Sequence, residues 1–343
     1  MVPVDLPEGV GCPFREILLP DPIKTMPQIY LSQDGRKLVV AGCNGLKAYI
    51  YVADYFPEVK SLNFSLVAEV PNALDVKAVA FSPYTEEIAC VLTMLDLKGD
   101  LKLNIKKEED VDKYEVWETV YVFAKDKGVK QISLSEKKRH LGRFTEGRGT
   151  FDLAWNGENA LFLAHDREVF RLFFDGKRDK LYESSLKECL QLRLIQAETL
   201  ALYEVSTGWI REENSPVFIL FDERDRIAKK KICPRPLEPG NSVNVIFDRL
   251  GGRWGGASIT GTFEKPINGF TILDSTLLSG KEATRVFFPE KVSFPLTHGI
   301  AYSFVPDRKE ILVSYFDFAE EVDAKPGDNA TKKSFHFGIL TYP

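Results

Sequence analysis

The densest chemistry in this sequence is a run of cations. Lys137, Lys138, Arg139, His140 and Arg143, followed by Arg148, crowd one polar stretch that opens at Glu136. Ammonium and guanidinium groups at this density bind phosphate backbones or acidic protein surfaces, or act as a nuclear localisation signal. A second cluster, Lys229, Lys230 and Lys231 with Arg235, follows the charged stretch Asp222 to Arg226. Neither cluster interleaves aromatic residues of the kind that stack nucleobases. The expected partner of the first cluster is therefore another protein, with nucleic acid restricted to local contacts of the basic loops.

Catalytic patterns are missing by comparison. His140, His165, His298 and His336 are spread along the chain, with none paired at metal-ligand spacing. His165 stands beside Asp166, but neighbouring residues of a strand face opposite ways, which argues against an acid–base couple. His298 precedes an apolar run and is expected to tie a loop to the strand below it. No H-E-x-x-H, Walker A or G-x-S-x-G pattern occurs. The glycine-rich stretch Gly251 to Gly261 lies between two strand candidates. A phosphate cradle would need a helix N-terminus there, so the stretch reads as a wide hairpin turn with Trp254 at its tip. Trp117, Trp155, Trp209 and Trp254 do not recur at one place in each unit, as sugar-binding platforms would, and Trp155 reads as packing. No catalytic residue, metal or cofactor is assigned.

Bulk properties narrow the class further. The formal net charge of −5 argues against a wholesale nucleic-acid binder. Cys12, Cys43, Cys90, Cys189 and Cys233 are scattered, odd in number and form no C-x-x-C pair. This predicts a reduced intracellular chain, cytoplasmic or nuclear, with neither disulfide frame nor zinc site. Cys90, inside the apolar run Ile88 to Leu92, is expected in the core. The stretch Met1 to Glu8 lacks the basic and apolar regions of a secretory signal, and the sequons at Asn63 and Asn329 read as chance. Apolar runs such as Val217 to Phe221 fall far short of the roughly 20 residues that span a bilayer, so no membrane contact is expected.

The elements that must position these residues are short strands. Gln28 to Ser32 and Lys37 to Ala41 flank Asp34-Gly35, and Asn44-Gly45 leads into Leu46 to Val52; both pairs supply the positive φ of a tight hairpin. The pattern recurs at Val76 to Thr93, at Thr150 to Phe174, and at Cys189 to Phe221. It recurs again at Ser242 to Leu273 and at Gly299 to Tyr315, with Phe335 to Tyr342 last. Spacing of about 50 residues suits one four-stranded unit per repeat, each needing neighbours to cover its faces. Leu181, Leu186, Leu190 and Leu194 allow a local helix over Tyr182 to Gln196 as an alternative to strands. Loop insertions are expected near residues 106–113, 135–149 and 317–331.

Three of these units carry a resemblance. Val79 to Pro83, Ile29 to Gly35 and Tyr302 to Asp307 resemble the inner-strand-plus-turn signature of WD40 repeats. No Trp-Asp dipeptide occurs, and only His298-Gly299 sits where the family's Gly-His pair would precede a blade, so the likeness is one of fold. It implies an all-β protein: one β-propeller domain over residues 1–343, with six blades, or seven if the stretch from Met94 to Gly149 holds an extra one. Phe14 to Leu19, an orphan strand between Pro13 and Pro20, would close the last blade. A two-sheet sandwich array is the competing all-β architecture. The propeller reading implies a non-enzymatic protein-interaction scaffold, a subunit of a larger assembly, touching its partner through Lys137 to Arg148. The alternative is a metal-dependent hydrolase or lactonase of the six-bladed kind. Its hard cation would need oxygen ligands in a central channel, for which Asp152, Asn156, Asn244 and Asp248 are the candidates.

Overall fold

The computed structural model describes residues 10–11, 13–25, 27–32, 34–56, 58, 61–96, 114–124, 128–134, 139–140, 151–157, 159–165, 168–183, 190–195, 199–204, 217–221, 227–232, 242–247, 253–262, 265–274, 283–287, 299–318 and 333–341. Every regular element among them is a strand. The strands group into six sheets, each built around four antiparallel strands.

The first sheet runs Gln28–Leu31, Lys37–Asn44, Lys47–Asp54, Ser65–Pro71. The second runs Ala73–Phe81, Ile88–Asp96, Glu115–Ala124, Gly128–Ser133, with Arg139–His140 added beside Glu115–Ala124. The third comprises Phe151–Asn156, Ala160–His165, Glu168–Phe173 and Arg178–Glu183. The fourth comprises Leu190–Ile195, Thr199–Glu204, Val217–Phe221 and Ile227–Ile232. Tyr182 to Gln196, where a helix was the alternative, contributes instead to strands of the third and fourth sheets. These four sheets belong to one compact unit, Leu19–Ser206 with Pro216–Ile232.

Tight turns make the meanders local. Gly35 and Gly45 adopt φ of 70° and 59°, as the Asp-Gly and Asn-Gly pairs require. Ser32 organises the first turn. Its hydroxyl accepts the Arg36 and Lys37 amides at 3.1 and 2.8 Å and donates to Asp34 Oδ1. Ser82 does the same work between the first two strands of the second sheet, accepting the Tyr84 and Thr85 amides, while its own N–H reaches the Glu87 carbonyl at 2.8 Å. These are two of the three turns whose sequences carry the WD40-like signature.

Packing follows the period-two alternation of strands. Ile88, Cys90, Leu92 and Met94 join Val39, Ala41 and Ile50 of the first sheet in one apolar cluster. Ala89 and Val91, from the same strand, join Leu153, Trp155 and Leu163 of the third sheet in another. The second sheet is thus covered on both faces by its sequence neighbours. The initial strands of successive sheets also lie side by side within this unit.

The second unit holds the fifth and sixth sheets. The fifth runs Ser242–Phe247, Arg253–Thr262, Lys265–Asp274, Ala283–Phe287, and Val10–Gly11 pairs in parallel with Val286–Phe287. Here the structure corrects one expectation. Residues 253–261 of the glycine-rich stretch are strand, with Trp254 opposite Phe247 in the ladder, and Trp254 is not a turn tip. Glycine within a strand permits close backbone approach as readily as it permits a turn. The sixth sheet runs Gly299–Phe304, Glu310–Phe318, Lys333–Thr341, and its outer strand is Phe14–Glu16. Phe14 sits opposite Leu340, and the Ile17 amide continues the ladder to the Phe337 carbonyl at 2.7 Å. Gly338 permits this: a Cβ there would run into the Arg15 backbone.

Candidate partner-binding rim

The basic insertion leaves the second sheet from its outer edge. Gly128–Ser133 pairs with Ala124–Thr119, and the Leu134 amide extends that ladder to the Glu118 carbonyl at 3.1 Å. Arg139 and His140 then pair with Val116 and Glu115, on the same side of the same strand. The insertion expected at 135–149 therefore contains a short strand. Lys137, Lys138, Arg143 and Arg148 lie outside the described residues. The Leu134 bond and the Arg139–His140 pairing both lie along the same edge of Glu115–Ala124.

The rim itself is held to the third sheet by polar contacts. Arg178 Nη2 donates to the Ser133 carbonyl at 2.8 Å. The Lys130 ammonium lies over the Phe174 ring, 5.3 Å from its centroid. Ile132 and Leu134 are buried in the apolar cluster between the two sheets, whereas Val129 is 61% exposed.

The other predicted sites separate. Lys229, Lys230 and Lys231 fall in the outer strand of the fourth sheet, opposite Leu220, Ile219 and Phe218. Arg235, Asp248, His298 and Trp209 lie outside the described residues. Asn244 is part of Ser242–Phe247, and Asn156 pairs with Ala160 at the turn after the first strand of the third sheet. Asp152 Oδ1 accepts the amide of Leu153 at 3.0 Å. No group of three or more His, Cys, Asp or Glu among the described residues could hold a metal ion.

The His165 imidazole stacks on Phe151, centroids 4.5 Å apart, in a cross-strand packing pair. His336 Nδ1 meets Glu16 Oε1 at 3.0 Å, linking the sixth sheet's outer strand to its neighbour. Trp155 is buried and meets Phe174 edge-on at 5.8 Å, which makes it core. Cys43 and Cys90 are free and buried; loss of hydration pushes the Cys43 thiol up to about 12 and the Cys90 thiol upward as well. Burial thus favours the neutral thiol at both positions. No described helix is long and apolar enough to cross a membrane.

No protein family matches the chain, and no curated protein does. Solved structures do. A nidogen/laminin complex chain is 10% identical, with 82% of this chain and 88% of that one covered and a TM-score of 0.46. TolB from Acinetobacter baumannii is 13% identical over 77% of this chain and 57% of its own, at a TM-score of 0.44. KlAtg21, solved with the coiled-coil of AgAtg16, is 12% identical over 85% and 93%, at 0.43. At these values none of them assigns the chain to a specific family.

The rim strand was the feature hardest to see in sequence. Gln131 to Leu134 reads as a strand between two charged stretches. Whether its edge stays open depends on register, which the sequence does not display.

Proposed function

We propose that this chain is an interaction scaffold: a six-bladed propeller, acting inside the cell as a subunit of a larger assembly, that binds an acidic protein surface through its basic rim. One observation carries the reading. The pairing of Arg139–His140 with Val116–Glu115 ties the basic insertion to a sheet whose strand Ile88–Asp96 is buried along all but its last residue. Holding charges near a rigid support lowers the ordering cost of binding. In this reading Phe14–Glu16 completes the last blade. A reducing compartment fits the free buried thiols.

The test is charge reversal. Lys137→Glu, Lys138→Glu and Arg139→Glu together should release the partner that the wild-type chain retains. Affinity of the wild type should fall as salt rises, since the attraction is between solvated charges. A complex that survives the triple reversal overturns the assignment.

A further inference from the structure

We infer that the outer strand Gly128–Ser133 is a docking edge, to which an extended acidic segment of a partner protein adds as one more antiparallel strand. This deepens the reading above and rests on it.

The argument begins with the edges of the other sheets. An outer strand exposes a row of N–H and C=O groups, and proteins blunt such edges with bulges, short strands or cover. In the first sheet Ile50 and Tyr51 face Ala68 and Leu66, leaving Val67 as an extra residue in the outer strand. In the third, Val169 and Phe170 face Tyr182 and Lys180, leaving Leu181. In the fourth, Leu220 and Phe221 face Lys229 and Ile227, leaving Ala228. Each outer strand is bulged at its pairing with the third strand, which bends and twists the edge. The fifth sheet's edge is covered by Val10–Gly11. The sixth sheet's outer strand has only three residues and lies between Pro13 and Pro20.

Gly128–Ser133 is different. Its six residues pair with Glu115–Ala124 in unbroken register. Among the described residues no strand pairs with its far side. The Leu134-to-Glu118 bond fixes the phase of the ladder, because hydrogen-bonded pairs alternate along an antiparallel ladder. Gly128, Lys130 and Ile132 turn their backbone groups inward. Val129, Gln131 and Ser133 turn theirs outward. The contact from Arg178 to the Ser133 carbonyl agrees with this phase. Lys130, a residue type that guards exposed edges, is drawn over Phe174 instead. The N–H and C=O of Val129 and Gln131 are left facing outward, beside an exposed valine side chain.

Charge selects the occupant. From Lys125 to Arg143 the sequence has seven basic and two acidic residues, in a chain whose net charge is −5. A strand that alternates apolar and acidic residues complements the charge of this stretch of sequence while its backbone completes the ladder. Main-chain bonds then supply affinity, and side chains supply specificity.

The probe is a short fluorescent peptide in which Glu and Val alternate, measured by anisotropy on the full chain. Gln131→Pro deletes one outward donor and no inward bond, as an edge position allows. Binding should weaken about tenfold in this variant, as expected when bonds of the added strand are lost. A peptide N-methylated at alternate residues should weaken likewise on the unaltered chain. That arm needs no variant to fold. Equal binding of the N-methylated peptide, or no binding of the parent peptide, overturns the docking edge. If Gln131→Pro folds and still binds the peptide as tightly as wild type, the edge is overturned too. Loss of the partner on triple charge reversal, with no effect of Gln131→Pro, would leave the basic-contact reading standing and remove strand addition. Indifference to both would remove both.

Discussion

Two strands of the second sheet have opposite characters. Ile88–Asp96 is buried along all but its last residue, apolar on both faces, and hydrogen-bonded on both edges. Gly128–Ser133, two strands outward, is exposed at every residue but Ile132 and, among the described residues, pairs with a strand on one edge only. The same sheet therefore runs from a strand with nothing to offer solvent to one whose Val129 and Gln131 backbone groups face away from the sheet. The inner strand supplies cohesion between three sheets. The outer strand can accept a partner without putting that cohesion at risk.

The largest effect should fall on the inner strand. Leu92 is fully buried in the cluster that joins the first and second sheets. Leu92→Ala should destabilise the fold by about 2–5 kcal/mol, read by denaturant unfolding, because neighbouring sheets cannot collapse freely into the space. Val129→Ala, at the rim, should stay within about 0.5 kcal/mol. Equal costs would break the contrast.

The next effect concerns the turn that holds the first sheet together. Ser32 is buried, and its hydroxyl accepts two backbone amides. Ser32→Ala removes the acceptor of the Lys37 amide, while the Arg36 amide keeps Asp34 Oδ1, and should cost about 1–3 kcal/mol. Asp34 adds a pH-dependent part. Partial burial pushes its carboxyl upward, but hydrogen bonds from Ser32 and the Arg36 amide, with the Arg36 charge, more than reverse this, and its pKa lies below the usual 3.8. A lowered carboxylate pKa stabilises the fold above the unfolded value, and that contribution is lost as pH falls through the folded one. The stability gap between wild type and Asp34→Asn should therefore be widest near neutral pH and shrink below about pH 4. Asp34 is exposed, so this gap should be smaller than that of Ser32→Ala.

Local grammar was legible in the sequence, and pairing at the edges was not. Asp34-Gly35 and Asn44-Gly45 turn where their chemistry demands, and Cys90 and Trp155 lie in the core. The WD40-like stretches beginning at Ile29 and Val79 hold the two serine-organised turns. Gly251 to Gly261 misled because glycine serves a turn and a closely packed strand equally well. The long interval after Met94, which left room for a seventh unit, instead returns Glu115–Ala124, Gly128–Ser133 and Arg139–His140 to the second sheet. Bulges at Val67, Leu181 and Ala228 have no sequence signature, since each is a relation between two strands. The site suffers most from this. Its charges are plain in the sequence, while the unbroken register of Gly128–Ser133 stands out only when the outer strands are compared.

The smallest expected change in stability is the most discriminating for the rim. Arg178 lies on the third sheet, and its exposed guanidinium covers the Ser133 carbonyl at 2.8 Å. Arg178→Gln should alter stability by less than about 0.5 kcal/mol, as surface contacts of this kind do. Its effect on the alternating Glu-Val peptide depends on the binding mode. If attraction between charges alone holds the peptide, removing a cation weakens binding. If the peptide adds to the ladder, freeing the Ser133 carbonyl offers it another acceptor beside Gln131, and binding should tighten by up to about tenfold. Gln131→Pro and Arg178→Gln should therefore move affinity in opposite directions. A shared loss would reduce the rim to a patch of charge.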